Sequence, residues 1–160
     1  MKIIDNILDK EELSKLKNLY TSNEFPWHYQ AGIDSTKTKR NDFFFYHMLY
    51  DQNVPKSNLF GSIIPIFNKL DKVKSLVRVK ANLYTRTNTI EHHADHIDFP
   101  WEHRVALFYV NSNNGLTVLK DGTKVESIEN RLLLFNGYEK HHSTSCTDSR
   151  TRININFNYF

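Results

Sequence analysis

His92-His93-Ala94-Asp95-His96-Ile97-Asp98-Phe99-Pro100-Trp101 is the stretch on which the reading of this chain turns. Successive side chains of an extended segment point to opposite faces, so His96 and Asp98 project together, and His93 and Asp95 project together on the other side. A third ligand is available far downstream in His141-His142, and Arg152 follows in the last segment. Two neutral imidazoles and one carboxylate suit a first-row divalent ion, and three ligands on one side leave its other positions open. An arginine adds a fixed positive fork of the kind that holds a carboxylate.

A histidine taken alone is more often a packed or surface residue than a ligand. Here His92, His93, His96 and His103 crowd together with Asp95 and Asp98. Pattern alone does not separate His96-Asp98 from His93-Asp95, and opposite faces mean that both pairs cannot serve one ion. Phe99-Pro100-Trp101 favours the first pair, because it ends the strand and walls a pocket. His141 and His142 face apart in the same way, so only one of them reaches the ion. Arg152 opens a strand with a polar even face (Asn154, Asn156, Asn158) and an apolar odd face (Ile153, Ile155, Phe157). If the polar face lines a barrel mouth, Arg152 and Asn154 hold an anionic ligand inside the fold. Arg150, two residues earlier on that face, is the fallback.

Outward from this stretch the chain reads mainly as strands. Asp42 to Tyr50, Leu76 to Arg86, Val105 to Val110, Leu116 to Lys120, Thr123 to Ile128, Arg131 to Phe135 and Arg152 to Phe160 carry the apolar runs or alternation expected of pleated structure. Asn114-Gly115, Asp121-Gly122 and Asn136-Gly137 supply hairpin turn signals. Two helices are expected ahead of them. Asp9 with Glu12 forms a capping box before Leu13, Leu16 and Leu19, and that helix ends near Thr21-Ser22-Asn23. The second spans about Ser57 to Leu70, with Pro65 either kinking it or lying in its first turn. The expected fold is mainly β (α+β), a double-stranded β-helix or jelly roll over about residues 76–160, backed by helical support over about residues 1–72.

With 160 residues the chain fits one domain burying roughly 70% of its unfolded surface. The 39% apolar and 13% aromatic content is enough for a core, and 5 Gly with 4 Pro exclude a disordered or fibrous chain. A net charge of +3, with clusters at Lys37-Thr38-Lys39-Arg40 and from Lys72 to Lys80, lacks the density of a nucleic-acid-binding arm. The single Cys146 excludes an internal disulfide. Neither a secretory signal nor a run of ~20 apolar residues is present. The expected location is the cytoplasm, and a host's cytoplasm if the gene is carried by a phage.

Further stretches carry a family resemblance: Val79-Lys80-Ala81-Asn82-Leu83-Tyr84, His96-Ile97-Asp98-Phe99-Pro100, Leu107-Phe108-Tyr109-Val110-Asn111 and Asp121 to Ser127. Arg131 to Phe135, His141 to Thr147 and Arg152 to Phe157 complete the series. In this order they resemble the Fe(II)- and 2-oxoglutarate-dependent dioxygenases, and most of all small prolyl-hydroxylase-like members of bacteriophages and marine bacteria. The resemblance covers about Leu76 to Phe160, and more loosely the helical N-terminal part. It implies His96, Asp98 and His141 as iron ligands, with Arg152 on the far carboxylate of 2-oxoglutarate and Asn82 and Tyr84 hydrogen-bonding the same cosubstrate. It implies O2-dependent hydroxylation of an unactivated C–H in a peptidyl (prolyl included) or small-molecule substrate, releasing succinate and CO2. The alternatives are a cupin-like metal enzyme that does not use 2-oxoglutarate, and a non-catalytic jelly-roll binding or virion module. Trp27, His28, Phe99, Trp101 and Tyr109 are the candidate pocket walls.

Overall fold

A computed structural model describes residues 1–32 and 43–160, so the basic cluster Lys37 to Arg40 lies outside the described residues. The chain runs β1 (Lys2–Asp5), α1 (Lys10–Tyr20), β2 (His28–Ala31), β3 (Phe43–Asp51) and β4 (Val54–Pro55). A 3-10 segment (Asn58–Ile63) then leads into α2 (Ile64–Phe67). After these come β5 (Leu76–Thr85), β6 (Arg104–Tyr109), β7 (Asn113–Leu119), β8 (Lys124–Ser127), β9 (Arg131–Asn136), β10 (His141–Ser143) and β11 (Thr151–Tyr159).

Helix α1 begins where the capping box places it. Asp9 Oδ1 accepts from the backbone N–H groups of Glu11 and Glu12 at 2.9 Å, while the Glu12 carboxylate accepts from the Asp9 N–H at 3.1 Å. Leu16 and Tyr20 are buried by it, with Leu13 and Leu19 half-buried beside them. The expected helix from Ser57 to Leu70 does not form as one piece. Ser57 caps the 3-10 segment through the Leu59 N–H at 3.0 Å, and only the turn Ile64–Phe67 is α-helical. Pro65 explains the break: its ring would clash with the carbonyl of Gly61 in a continuous α-helix, yet it is tolerated in a first turn. The N-terminal part is also less helical than expected. Strands β1 to β4 all add to the larger sheet.

Among the described residues the strands form two antiparallel sheets, one ordered β1-β9-β6-β11-β5-β3-β2 with β4 on β3, the other β10-β7-β8. This is the expected jelly roll. The large sheet is apolar on one face, where Val79, Ala81, Ile153, Ile155 and Phe157 meet Leu16, Tyr20, Ile63 and Ile66. At about 1.5–3 kcal/mol for each fully buried aliphatic or Phe side chain, this layer is the main support of the fold. Between the two sheets a second cluster forms from Val105, Leu107, Tyr109, Val125, Leu133 and Phe135. Strand β6 feeds both layers, as its unbroken apolar run predicts.

The even face of β11 looks away from the helix-side core. In register it pairs Arg152 with Tyr84, Asn154 with Asn82, Asn156 with Lys80 and Asn158 with Arg78. This polar double row between the sheets is the floor of the site.

Of the three expected glycine turns, only Asp121-Gly122 is a hairpin apex, with Gly122 at φ +84°. Gly115 lies inside β7 because of a close approach instead. A Cβ there would fall 2.5 Å from Arg152 Cδ and 2.8 Å from the Ser145 carbonyl oxygen. Gly137 lies against the His103 ring and also in a turn, the Glu139 N–H donating to the Asn136 carbonyl at 3.1 Å, but this turn joins strands of different sheets rather than a hairpin.

Candidate metal centre

Residues 93–100 do not form the regular strand that the spacing argument assumed. His96 instead pairs with His141 in an isolated antiparallel bridge, each N–H donating to the other's carbonyl at 3.0 Å. That pairing sets the two imidazoles side by side, ring centroids 4.6 Å apart. The chain then bends from Asp98 onward and carries the carboxylate to the same place. One ligand atom from each of His96, Asp98 and His141 lies within 4.8 Å of the other two.

Each imidazole is oriented by its own backbone. His96 Nδ1 lies 3.2 Å from the Ala94 carbonyl and His141 Nδ1 lies 3.0 Å from that of Glu139. With Nδ1–H donating, the Nε2 lone pairs are left to face a metal, the outer-shell arrangement typical of histidine ligands. Burial, followed by the neighbouring His96, lowers the pKa of His141 and keeps it neutral. Asp98 is the anionic member. Its Oδ1 accepts from Arg78 Nη2 at 2.7 Å, and its Oδ2 accepts from Asn158 Nδ2 at 2.8 Å and Asn156 Nδ2 at 3.0 Å. Burial pushes its pKa up, but Arg78, His141 and the two amides outweigh that and hold it well below the usual carboxylate range.

The rival assignments go elsewhere. His142 Nδ1 hydrogen-bonds Asp95 Oδ1 at 2.7 Å, and its Nε2 meets His92 Nδ1 at 3.0 Å, forming a chain on the rim. His93 stacks on Tyr84 at 5.1 Å and hydrogen-bonds Ser143 Oγ at 2.8 Å. Burial, then Arg152, bring its pKa down to about 3. Neither His93-Asp95 nor His142 joins the cluster, and Arg150 is exposed.

Arg152 is fully buried. Its Nε donates to Ser127 Oγ at 2.8 Å and its Nη2 to Thr117 Oγ1 at 3.0 Å, while the rings of Tyr84 and Tyr109 lie 5.4 and 5.8 Å from its Cζ. Among the described residues Nη1 has no partner and no carboxylate pairs with the guanidinium. Thr117 connects it to a cavity of about 310 Å³, which His96, Asp98, His141, Asn82, Tyr84 and Asn154 also line. Asn82 Nδ2 donates to Asn154 Oδ1 at 3.0 Å across the floor.

The expected pocket walls do not line this cavity. Tyr109 is core beneath Arg152, Trp27 packs on the helix-side core, His28 stacks on His47, and Phe99 and Trp101 stack on each other. Its aromatic walls are Phe44, Tyr84 and Phe135. Sequence reasoning also missed Arg78, Lys80, Asn156 and Asn158. The signal was present, because even positions of β5 and β11 share one face throughout, and the reading of β5 stopped at Asn82 and Tyr84.

No protein-family model and no curated protein matches the chain. Solved structures do. A prolyl hydroxylase from Trichoplax adhaerens, in complex with a peptide of the hypoxia inducible factor oxygen degradation domain, superposes with a TM-score of 0.67 at 18% identity, over 99% of this chain and 82% of that one. A 2OG-Fe(II) oxygenase family oxidoreductase from Burkholderia pseudomallei gives 0.68 at 13% identity, over 98% and 83%. A viral collagen prolyl hydroxylase from Paramecium Bursaria Chlorella virus-1, solved with 2OG, gives 0.61 at 14%, over 99% and 94%. The chain thus shares the fold of these oxygenases along nearly its whole length.

Proposed function

We propose that the chain is an Fe(II)- and 2-oxoglutarate-dependent oxygenase that hydroxylates an unactivated C–H of a peptidyl (prolyl included) or small-molecule substrate. One observation carries this reading. A His-Asp-His cluster lines a cavity whose Thr117 is hydrogen-bonded by a fully buried guanidinium that no carboxylate of the described chain neutralises. Both halves fit the metal and the cosubstrate: the donor set is that of a ferrous oxygenase with open positions, and the orphaned Arg152 Nη1 calls for an anion.

His96, Asp98 and His141 would hold the iron, and Arg152 would take the far carboxylate of 2-oxoglutarate, with Tyr84, Asn82 and Asn154 along its length. When bound, these groups supply the oxidising chemistry, consuming O2 and releasing succinate and CO2. The chain's own residues position and protect them. Ser127 and Thr117 fix the guanidinium before any ligand arrives, so little side-chain ordering remains for the binding step. Arg78, Asn156 and Asn158 keep Asp98 ionised, and the inter-sheet apolar cluster excludes water from one side.

A cupin-like enzyme without an acidic cosubstrate, or a non-catalytic module, leaves the Arg152 charge buried and unpaired, a penalty of several kcal/mol. The chain's buried lone thiol, Cys146, and a ferrous centre both suit a reducing cytoplasm. No helix among the described residues is long and apolar enough to cross a membrane. The test is succinate release from 2-oxoglutarate by the purified chain with Fe(II). Turnover should need the metal and vanish in His96→Ala and Asp98→Ala; release surviving both substitutions contradicts the assignment.

A further inference from the structure

Arg152 has a counterpart. Lys80 sits on the same polar floor, in register with Asn156 on β11, and lines the same cavity as the His-Asp-His cluster. Among the described residues its ammonium makes neither a hydrogen bond nor an ion pair. Its Nζ lies over the face of Phe44, 5.3 Å from the ring centroid. The neighbouring carboxylate, Asp98, does not serve it, since both Asp98 oxygens are taken by Arg78, Asn156 and Asn158. Burial, and then Arg78, lower the Lys80 pKa to about 8. Among the described residues, the cavity therefore presents a second enclosed cation with no anion of its own.

2-Oxoglutarate has no third carboxylate to give Lys80 once its two are in use. Its far carboxylate belongs with Arg152, and its keto acid end with the metal cluster. Its oxygens are all acceptors, which leaves two orphaned amide oxygens of the floor unmatched, Asn82 Oδ1 and Asn156 Oδ1. Asn156 Nδ2 is committed to Asp98, so its Oδ1 faces the other way and, among the described residues, is buried without a donor. An ammonium-bearing lysine and an orphaned carbonyl oxygen thus stand side by side on facing register positions. At about 310 Å³ the cavity is also at the low end of the ~300–1,000 Å³ range for ligand sites, which suits a small second occupant.

We infer that Lys80 is the anion-binding residue for the primary substrate, which is a small carboxylate with an N–H donor: a free amino or imino acid rather than a mid-chain peptide residue. This rests on the reading of the site as an Fe(II)/2-oxoglutarate oxygenase and narrows its substrate class. The carboxylate lies on Lys80, and the amine donates to Asn156 Oδ1.

The test uses the full chain with Fe(II) and 2-oxoglutarate under nitrogen. The probes are the free L-amino acids including proline, the carboxamide of each, and an internal prolyl tripeptide amide. Melting temperature and the visible band of the iron–2-oxoglutarate complex are both read. At least one free amino acid should raise the melting temperature and perturb the band, with its carboxamide at least tenfold weaker. Lys80→Met should weaken that probe at least tenfold while changing the 2-oxoglutarate dissociation constant less than threefold, and Lys80→Arg should restore most of the binding. Equal binding of acid and carboxamide overturns the inference. So does unchanged binding by Lys80→Met, response to the tripeptide amide alone, or no response to any probe. A Lys80→Met variant that loses 2-oxoglutarate instead overturns it too, because Lys80 then holds the cosubstrate; in all these cases a normal wild-type band leaves the oxygenase reading standing. Absence of the band in the wild type overturns both.

Discussion

Replacing Arg152 by methionine separates what this residue does for the ligand from what it does for the fold. A guanidinium holding a carboxylate contributes two charge-assisted hydrogen bonds of about 1.5–3 kcal/mol each. Their loss is about 3–6 kcal/mol, or a roughly 10²- to 10⁴-fold rise in the 2-oxoglutarate dissociation constant. The fold should respond differently. The substitution strands Ser127 Oγ and removes one of two donors to Thr117 Oγ1, which still accepts from Tyr109 OH at 2.8 Å. Those losses are about 1–3 kcal/mol in total. Against them stands relief of a fully buried charge without a counterion, which is also several kcal/mol. The unliganded variant is therefore expected within about 1 kcal/mol of wild type, or roughly 2–4 °C in melting temperature for a chain of this size. Calorimetric titration with 2-oxoglutarate and a thermal melt without it give both numbers. Near-normal cosubstrate affinity, or a melting temperature more than about 10 °C lower, would mean that the residue is structural.

His96→Ala, Asp98→Ala and His141→Ala should each abolish stabilisation by Fe(II), whereas His142→Ala should keep it, because His142 is engaged with Asp95 and His92; a thermal shift with and without metal decides this. Gly115→Ala pushes a methyl against Arg152 Cδ and the fixed Ser145 carbonyl, so 2-oxoglutarate affinity should fall at least tenfold, as a cosubstrate titration would show. The depressed pKa of His93, about 3 in the fold against 6.5 for the free side chain, fixes a direction with pH. Its stabilising contribution is whole above about pH 6.5 and is lost as pH falls towards 3, at up to about 1.4 kcal/mol per pH unit. Urea unfolding at several pH values should show this slope, and His93→Gln should flatten it.

The jelly roll was legible because β5, β6, β9 and β11 carry their face assignments in simple alternation or in unbroken apolar runs. Strands β1 and β2 were not legible, being four residues long and mostly exposed; their pairing with β9 and β3 comes from tertiary context. The break at Pro65 was visible as a choice, and packing made the choice. Within the site, His96, Asp98 and His141 lie together, but for a reason different from strand periodicity. A bridge to His141 and a bend at Asp98 bring the ligands together, and neither is visible in residue spacing. Gly115, which lies inside β7 rather than in a turn, shows the same limit. Close approach to Arg152 depends on residues distant in sequence. Lys80 and Asn156 were overlooked although their parity with Asn82 and Asn154 was on view.

Anaerobic titration of the chain with Fe(II), then with 2-oxoglutarate, tests the central claim most directly. One iron per chain and a weak visible charge-transfer band that needs both components are expected, with the band lost in His96→Ala and right-shifted in cosubstrate concentration for Arg152→Met. A chain that takes up no iron, or that binds iron yet gives no band at saturating 2-oxoglutarate, contradicts the assignment.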